Sequence, residues 1–313
     1  MSKPRNFAEL QRHMTHILRA AGCETATLDA RLLLAHIADM SDTQLAMEAE
    51  SPISSRLERA AQKVIALRAN GKPVAKIIGH KEFWGRRFCV SQAVLDPRPD
   101  SETLIEAALP LLPSEQDVQL IDLGTGSGCL LLTLLAERPR ARGLGIDKSP
   151  AALHMARRNA HLLGLRQRVA LRHGNWLRGV KMRADMIVAN PPYIESAEIA
   201  RLDKAVRLFD PRAALDGGAD GLGSYRRLIK PCFAALKQGG DLLLEIGARQ
   251  ADAVSALMAD AGFDNIVLKQ DLAGRDRILQ GQKSARKIKR GLKNNRRRAR
   301  LPVFKERCVD ARS

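Results

Sequence analysis

The chain has 313 residues, with 52 Lys and Arg against 34 Asp and Glu, and a formal net charge of +18. Its 45% apolar content supplies a packed core and excludes global disorder. The length suits about two domains, and no uncharged run is long enough to span a membrane, so no membrane contact is expected.

The five cysteines, Cys23, Cys89, Cys129, Cys232 and Cys308, are scattered and never form a Cys-x-x-Cys pair. The seven histidines show no ligand spacing. A disulfide scaffold or zinc knuckle is thereby excluded, no metal is expected, and a reducing cytoplasm is the expected compartment. The N-terminus, with Lys3, Arg5, Glu9 and Arg12, lacks the apolar stretch of a signal peptide.

Residues 1–72 read as a small helical domain. Phe7, Leu10, Met14, Ile17 and Leu18 keep helical spacing up to Gly22, and Leu28, Leu32, Leu33 and Ile37 offer a second apolar face. Ser51-Pro52 reads as the opening of a further helix that stops at Asn70-Gly71. Residues 73–100 read as a hairpin linker, with Ile77-Ile78-Gly79, Phe83-Trp84-Gly85, Phe88 and Val90 as short strands around turns. A helix is expected from about Ser101.

From residue 118 the rhythm becomes strand, helix, strand, helix. Strands are expected at 118–123, 142–147, 169–172, 186–189 and 241–246, with helices at 128–137, 150–164, 223–237 and 250–261. Two last strands, 265–269 and 277–280, are joined by a turn too short for a parallel crossover and must be antiparallel. The fold class is therefore α/β, a doubly wound, mostly parallel sheet over 101–282 with a C-terminal antiparallel hairpin.

Asp122-Leu123-Gly124-Thr125-Gly126-Ser127-Gly128 follows the first of these strands and opens a helix. Its glycines let the backbone turn tightly and approach a ligand, although a packing turn would also use them. Asp147, at the end of the second strand, stands where a carboxylate accepts both hydroxyls of an adenosine ribose. A dinucleotide fingerprint wants glycines at 124, 126 and 129, and position 129 is Cys. That favours a nucleoside without phosphates, a description that S-adenosylmethionine meets. Trp176 reads either as a wall against the adenine or as a rim aromatic.

Asn190-Pro191-Pro192-Tyr193 ends the fourth strand, on the sheet edge where open α/β sheets bind ligands. The Asn190 side-chain oxygen and the Pro191 carbonyl offer two acceptors, and Tyr193 offers a flat face. A planar –NH2 group held by both acceptors would lie in line with a sulfonium methyl, and the charge that develops on its nitrogen would be stabilised. Neither a metal nor a strong base is required.

These residues resemble the HemK/PrmC family of release-factor glutamine methyltransferases. The likeness also takes in Gly79–Gly85, Pro97–Glu102, Asp210–Leu215, Asp220–Leu222, Leu244–Gly247 and Gly274–Arg277, about residues 5–281 in all. It implies the Rossmann-like fold of class I S-adenosylmethionine-dependent methyltransferases, with a helical N-terminal domain that docks the substrate. It implies methyl transfer from S-adenosyl-L-methionine to the glutamine of the Gly-Gly-Gln loop in peptide chain release factors. By motif, Gly124, Thr125, Gly126, Ser127, Gly128, Asp147, Trp176 and Asn190 would hold the cofactor. Asn190, Pro191, Pro192 and Tyr193 would hold the glutamine, with Asn190, Pro191 and Tyr193 catalytic. Arg98, Glu102 and Glu245 carry no assigned role.

The same acceptor pair could present an exocyclic base amine of RNA or DNA, or a ribosomal-protein glutamine. The segment 283–313 carries +11 of the net charge and lies outside the resemblance. It reads as a disordered basic tail, either a phosphate-attracting contact to RNA or the ribosome, or a solvated extension.

Overall fold

A computed structural model describes residues 4–284, which fall into two units. Residues 4–81, 90–92 and 202–210 make up one, and residues 82–89, 93–201 and 211–284 the other.

The first unit is helical. In α1 (Phe7–Ala20), Asn6 caps the start and Phe7, Leu10, Met14 and Leu18 are buried at helical spacing. In α2 (Ala26–Ala38) the buried face is Ala26, Asp29, Ala30, Leu33 and Leu34, not the expected stripe through Leu28, which is 44% exposed. The rotation has a polar cause: Asp29 faces inward and takes the Arg68 Nε–H at 2.7 Å and the Thr25 hydroxyl at 2.9 Å. The short α3 (Asp42–Met47), closed by a Ser41–Gln44 capping box, has no apolar periodicity that announces it. Ser54 caps α4 (Ser55–Ala69), so the expected start at Ser51-Pro52 is corrected; Pro52 forms a bridge with Asn6 instead. Residues 77 and 78, expected as strand, belong to α5 (Val74–Ile78), which ends on Gly79 at φ +82°.

The strands β1 (His80–Phe83) and β2 (Arg86–Cys89) pair as the expected hairpin, and the Phe83 and Phe88 rings meet edge to face at 6.1 Å. Beyond it come α6 (Glu102–Ala108), β3 (Gln119–Leu123), α7 (Cys129–Glu137), β4 (Arg142–Asp147), α8 (Pro150–Leu162), β5 (Val169–His173) and β6 (Ala184–Ala189). After β7 (Ile194–Glu195) and α9 (Lys204–Phe209) follow β8 (Asp216–Gly218), α10 (Gly223–Ala235), β9 (Leu236–Glu245), α11 (Ala251–Ala261), β10 (Asp264–Gln270) and β11 (Asp276–Gln282). The seven-stranded sheet has the order β10-β11-β9-β6-β3-β4-β5. β9, β6, β3, β4 and β5 are mutually parallel; β10 and β11 pair antiparallel, as expected, and β11 is antiparallel to β9 as well. The small parallel pair β7–β8 has no counterpart in the expected elements.

The strict period of two sorts the sheet's side chains into two cores. Leu120, Met186, Val188 and Leu243 pack with α6 and α7 on one face. Ile121, Leu123, Ile187, Ala189, Leu242 and Leu244 pack with α10 and α11 on the other. Order reverses at β3, since β4 and β5 lie to one side of it and β6 and β9 to the other. This switch opens a crevice at the carboxyl ends of the strands.

Residues 202–210, including α9, belong to the helical unit, although the expected sheet domain spans them. There the Lys76 ammonium donates to Asp210 Oδ1 at 2.5 Å and to the Phe209 carbonyl at 2.6 Å, with side chains 0% and 1% exposed. Lys283, the expected first residue of the tail, is held by the sheet domain: its ammonium donates to the Leu236 carbonyl at 2.8 Å and lies over the Phe233 ring. From residue 285 the expected basic tail lies outside the described residues. Among the described residues no helix is long and apolar enough to cross a membrane.

A buried charge deprived of its partner is costly, so Asp210→Ala is expected to destabilise the helical unit by about 3–5 kcal/mol. Lys76→Met with Asp210→Leu should recover most of that loss. Urea unfolding of the three proteins measures both effects.

Candidate active site

The register of the parallel strands brings the expected site together. Ile146 pairs with Leu123, Leu123 with Ala189, and Ala189 with Leu244, so these four form one row across β4, β3, β6 and β9. The next residue of each strand gives the row Asp147, Gly124, Asn190, Glu245. By the period of two Asp147 and Glu245, the last residues of β4 and β9, project opposite Ile146, Leu123, Ala189 and Leu244, and Asn190 reaches Ser101 just ahead of α6.

At the β3 end, Gly124, Gly126 and Gly128 all have left-handed φ, at +74°, +56° and +81°. A side chain there would be strained, so the loop's shape depends on their being glycine. The loop folds back on β4, since the Gly124 and Thr125 N–H groups both donate to the Ile146 carbonyl, at 2.8 and 3.0 Å. Beneath it Asp122 is buried, its Oδ2 accepting the Thr125 hydroxyl at 2.6 Å and its Oδ1 left without a partner. Burial, helped by the charge of Asp147, pushes the Asp122 carboxyl up to about 7 against the pull of Thr125.

Asp147 Oδ2 accepts the Gly126 N–H at 2.9 Å and its Oδ1 accepts the Ser149 N–H at 2.8 Å. Each oxygen keeps a further lone-pair direction for a ligand hydroxyl. Trp176 is half-buried at φ +51°, an unfavourable conformation for a non-glycine residue, and a Cβ on Gly124 would stand 3.9 Å from its Cζ3.

At the β6 end, the Asn190 side-chain N–H2 donates to Ser101 Oγ at 3.2 Å, and the Ser101 hydroxyl donates to Glu245 Oε2 at 2.6 Å. Ser101 and Glu245 are buried, and burial pushes the Glu245 carboxyl up to about 7 against the Ser101 hydrogen bond, the Arg277 charge and a weaker hydrogen bond from the Asn190 side chain. Tyr193 is anchored through its backbone: the Gln250 side chain donates to the Tyr193 carbonyl at 3.0 Å and accepts the Gly247 N–H at 3.1 Å. A Cβ on Gly221 would come within clashing distance of that same carbonyl, so only glycine fits there. Burial pushes the Tyr193 phenol up to about 12, which keeps it neutral.

A cavity of about 290 Å³ joins the two ends. Gly124, Thr125, Gly126, Ser127, Asp147 and Trp176 line it from the expected cofactor end, and Asn190 and Pro192 from the chemical end. Gly128, Pro191 and Tyr193 are not among its lining residues. Gly128 caps α7 and packs tightly on Leu132, and Tyr193 packs against the core on the α10 and α11 face.

Two parts of the wall escaped sequence reasoning. One is the stretch Ala93 to Arg98 together with Ser101, and the other is Asp216 on β8 with Ser224 and Arg227 on α10. The Pro97–Glu102 motif was the available signal for the first part, but nothing in its spacing singles out Ser101. The second part carries no local pattern.

The profile of the PrmC N-terminal domain matches residues 9–79, and that of the methyltransferase small domain matches residues 95–213. The release factor glutamine methyltransferase of Cereibacter sphaeroides is 45% identical over 265 residues, covering 85% of this chain and 94% of that protein. The namesake from Rhodospirillum rubrum is 44% identical over 268 residues, covering 86% of this chain and 82% of that one. Among solved structures, the hMettl16 catalytic domain in complex with the MAT2A 3'UTR hairpin 1 matches with a TM-score of 0.51. It is 14% identical and covers 78% of this chain and 82% of that one, a likeness of fold alone. With close relatives aligned over nearly their whole length and both profiles matched in order, this chain belongs to the release factor glutamine methyltransferase family.

Proposed function

We propose that this chain transfers a methyl group from S-adenosyl-L-methionine to the side-chain amide nitrogen (N5) of the glutamine in the Gly-Gly-Gln motif of peptide chain release factors. The observation that carries the reading is one cavity that joins a nucleoside-type cradle, Gly124 to Ser127 with Asp147, to the side chain of Asn190. Family membership supplies the substrate class.

The cradle fits an adenosyl group. The glycine loop permits close backbone approach, Asp147 is held by two N–H groups with acceptor capacity to spare, and Trp176 stands beside Gly124 as a flat wall. S-adenosylmethionine, when bound, supplies an electrophilic methyl group on a sulfonium.

The remaining work falls to the chain's own residues. An amide nitrogen is a poor nucleophile because its lone pair is delocalised into the carbonyl. Asn190 Oδ1 and the Pro191 carbonyl, both acceptors, would hold the two glutamine N–H bonds and leave the nitrogen lone pair directed at the donor. The same two oxygens stabilise the positive charge that grows on the nitrogen during transfer, and proton loss follows. Pro191 and Pro192 carry no N–H, so neither can oppose the substrate with a donor. Tyr193, neutral and packed against the α10 and α11 core, anchors the backbone of the turn that carries the acceptors. The helical N-terminal unit docks the protein substrate.

The test is peptide mass spectrometry of a release factor incubated with this protein and S-adenosylmethionine, beside a factor whose Gly-Gly-Gln glutamine is Ala. One methyl on that glutamine, absent from the control, is expected; its absence would overturn the substrate assignment. Asn190→Ala should lower kcat/KM by about 10²–10³-fold, the usual worth of one preorganised partner to transition-state charge. Asp147→Ala should raise the Kd for S-adenosylmethionine by about 10–100-fold, as loss of charge-assisted hydrogen bonds implies, measured by calorimetry.

A further inference from the structure

We infer that Ser101 and Glu245 are positioning residues that fix which end of the Asn190 side-chain amide faces the substrate. This rests on the role proposed above for Asn190. The two ends of that amide are close in shape and opposite in chemistry: Oδ1 accepts a substrate N–H, and Nδ2 would oppose it with another hydrogen.

The chain of donors decides the orientation. An ionised Glu245 has no proton to give, so it can only accept. Ser101 has one hydroxyl proton, and it goes to Glu245 Oε2 at 2.6 Å. The Ser101 oxygen is then left to accept, so the Asn190 group 3.2 Å from it is the –NH2. Oδ1 is therefore turned away from Ser101 and is the end left for the cavity that Asn190 lines. Ser101 and Glu245 are 3% and 2% exposed, so bulk water does not scramble the relay.

Protonation of Glu245 reverses the logic. A neutral carboxyl donates to Ser101, the serine proton is released toward Asn190, and the amide can turn so that Oδ1 accepts from serine. The carboxyl has been pushed up to about 7, which puts this reversal within reach of an ordinary assay. The charged and titratable groups that act on Glu245 or respond to it are Arg277 on β11, Asp100 ahead of α6, Tyr193 after β6, Tyr225 on α10 and Cys129 on α7. Arg277 opposes the upward push and Asp100 adds to it. Asp122 titrates in the same range and is the competing source of any acid limb.

The experiment measures kcat and the KM for S-adenosylmethionine from pH 5.5 to 9, with a Gly-Gly-Gln release factor as acceptor. It compares the full-length protein with Ser101→Ala, Ser101→Thr, Glu245→Gln, Asp122→Asn and Asn190→Ala. Ser101→Ala is expected to lower kcat at pH 8 by about tenfold, the worth of one hydrogen bond, with KM for the cofactor within about twofold of wild type. Ser101→Thr, which keeps the hydroxyl, should restore most of the rate. Wild-type kcat should fall below a midpoint near 7, and Glu245→Gln, isosteric and without a titrating carboxyl, should lose that limb. Wild-type kcat in Ser101→Ala, or an acid limb that persists in Glu245→Gln and is lost in Asp122→Asn, would overturn the relay. Wild-type kcat in Asn190→Ala would instead overturn the acceptor role itself, so the two failures are separable.

Discussion

Parallel pairing of β3 with both β4 and β6 is the constraint on which the site depends. Parallel strands in register end on the same edge, and equal counting from the last paired row places Asp147, Gly124, Asn190 and Glu245 side by side. The pleat turns Asp147 and Glu245 away from the α10 and α11 core, and Asn190 reaches Ser101 just ahead of α6. A one-residue slip of β6 against β3 would move Asn190 out of this row and turn it to the opposite face. The apolar run that drives the pairing is therefore also what aims the chemistry. Ile121 and Ile187 lie together in one core, and Leu120 and Met186 in the other.

Loops at the ends of strands are not fixed by the sheet, and here distant side chains pin them. Asn159 on α8 is fully buried. Its Oδ1 accepts the Cys89 N–H at 2.7 Å, and its Nδ2 donates to the carbonyls of Cys89 and Ser127, at 3.0 and 2.8 Å. One amide thus ties the hairpin to the glycine loop with three hydrogen bonds. Gln250, the residue that caps the start of α11, braces the proposed acceptor turn by bridging the Gly247 N–H and the Tyr193 carbonyl. Asn159 makes three such bonds and Gln250 two, which makes them braces for the site. The energetic stake at each is high because a buried backbone group left unpaired costs more than the bond contributes.

Regular elements were legible because their signals are local. The period-two and period-3.6 patterns placed the strands of the central sheet within a few residues, and the short turn between β10 and β11 dictated antiparallel pairing. Where a polar residue joined the core the pattern misled. Asp29, held by Arg68, turned the face of α2 away from Leu28, and Ile77-Ile78 read as strand because a five-residue helix has no room to show a period. The glycine loop, Asp147 and Asn190 were legible because each ends a strand of known direction. Ser101 was not: its importance comes from pairing with Glu245, 144 positions away, and from the register that sets Glu245 beside Asn190.

The two ends of the site share one device. At the proposed cofactor end Asp122 accepts the Thr125 hydroxyl at 2.6 Å, and at the proposed chemical end Glu245 accepts the Ser101 hydroxyl at 2.6 Å. Both carboxyls are buried and pushed up to about 7 by that burial. A raised carboxyl pKa means that, above the ordinary carboxylate range and up to about 7, the folded chain holds protons that the unfolded chain has lost. These two groups therefore subtract stability as pH rises through that window. Leucine at either position would lift that electrostatic cost, so folding does not explain the pair. What a buried carboxyl adds is a fixed, acceptor-only group that dictates where a neighbouring hydroxyl points. Thr125 is held that way inside the glycine loop, and Ser101 is held that way against Asn190. The stability given up at both ends is exchanged for direction, which is what an active site built from neutral hydrogen-bonding groups requires.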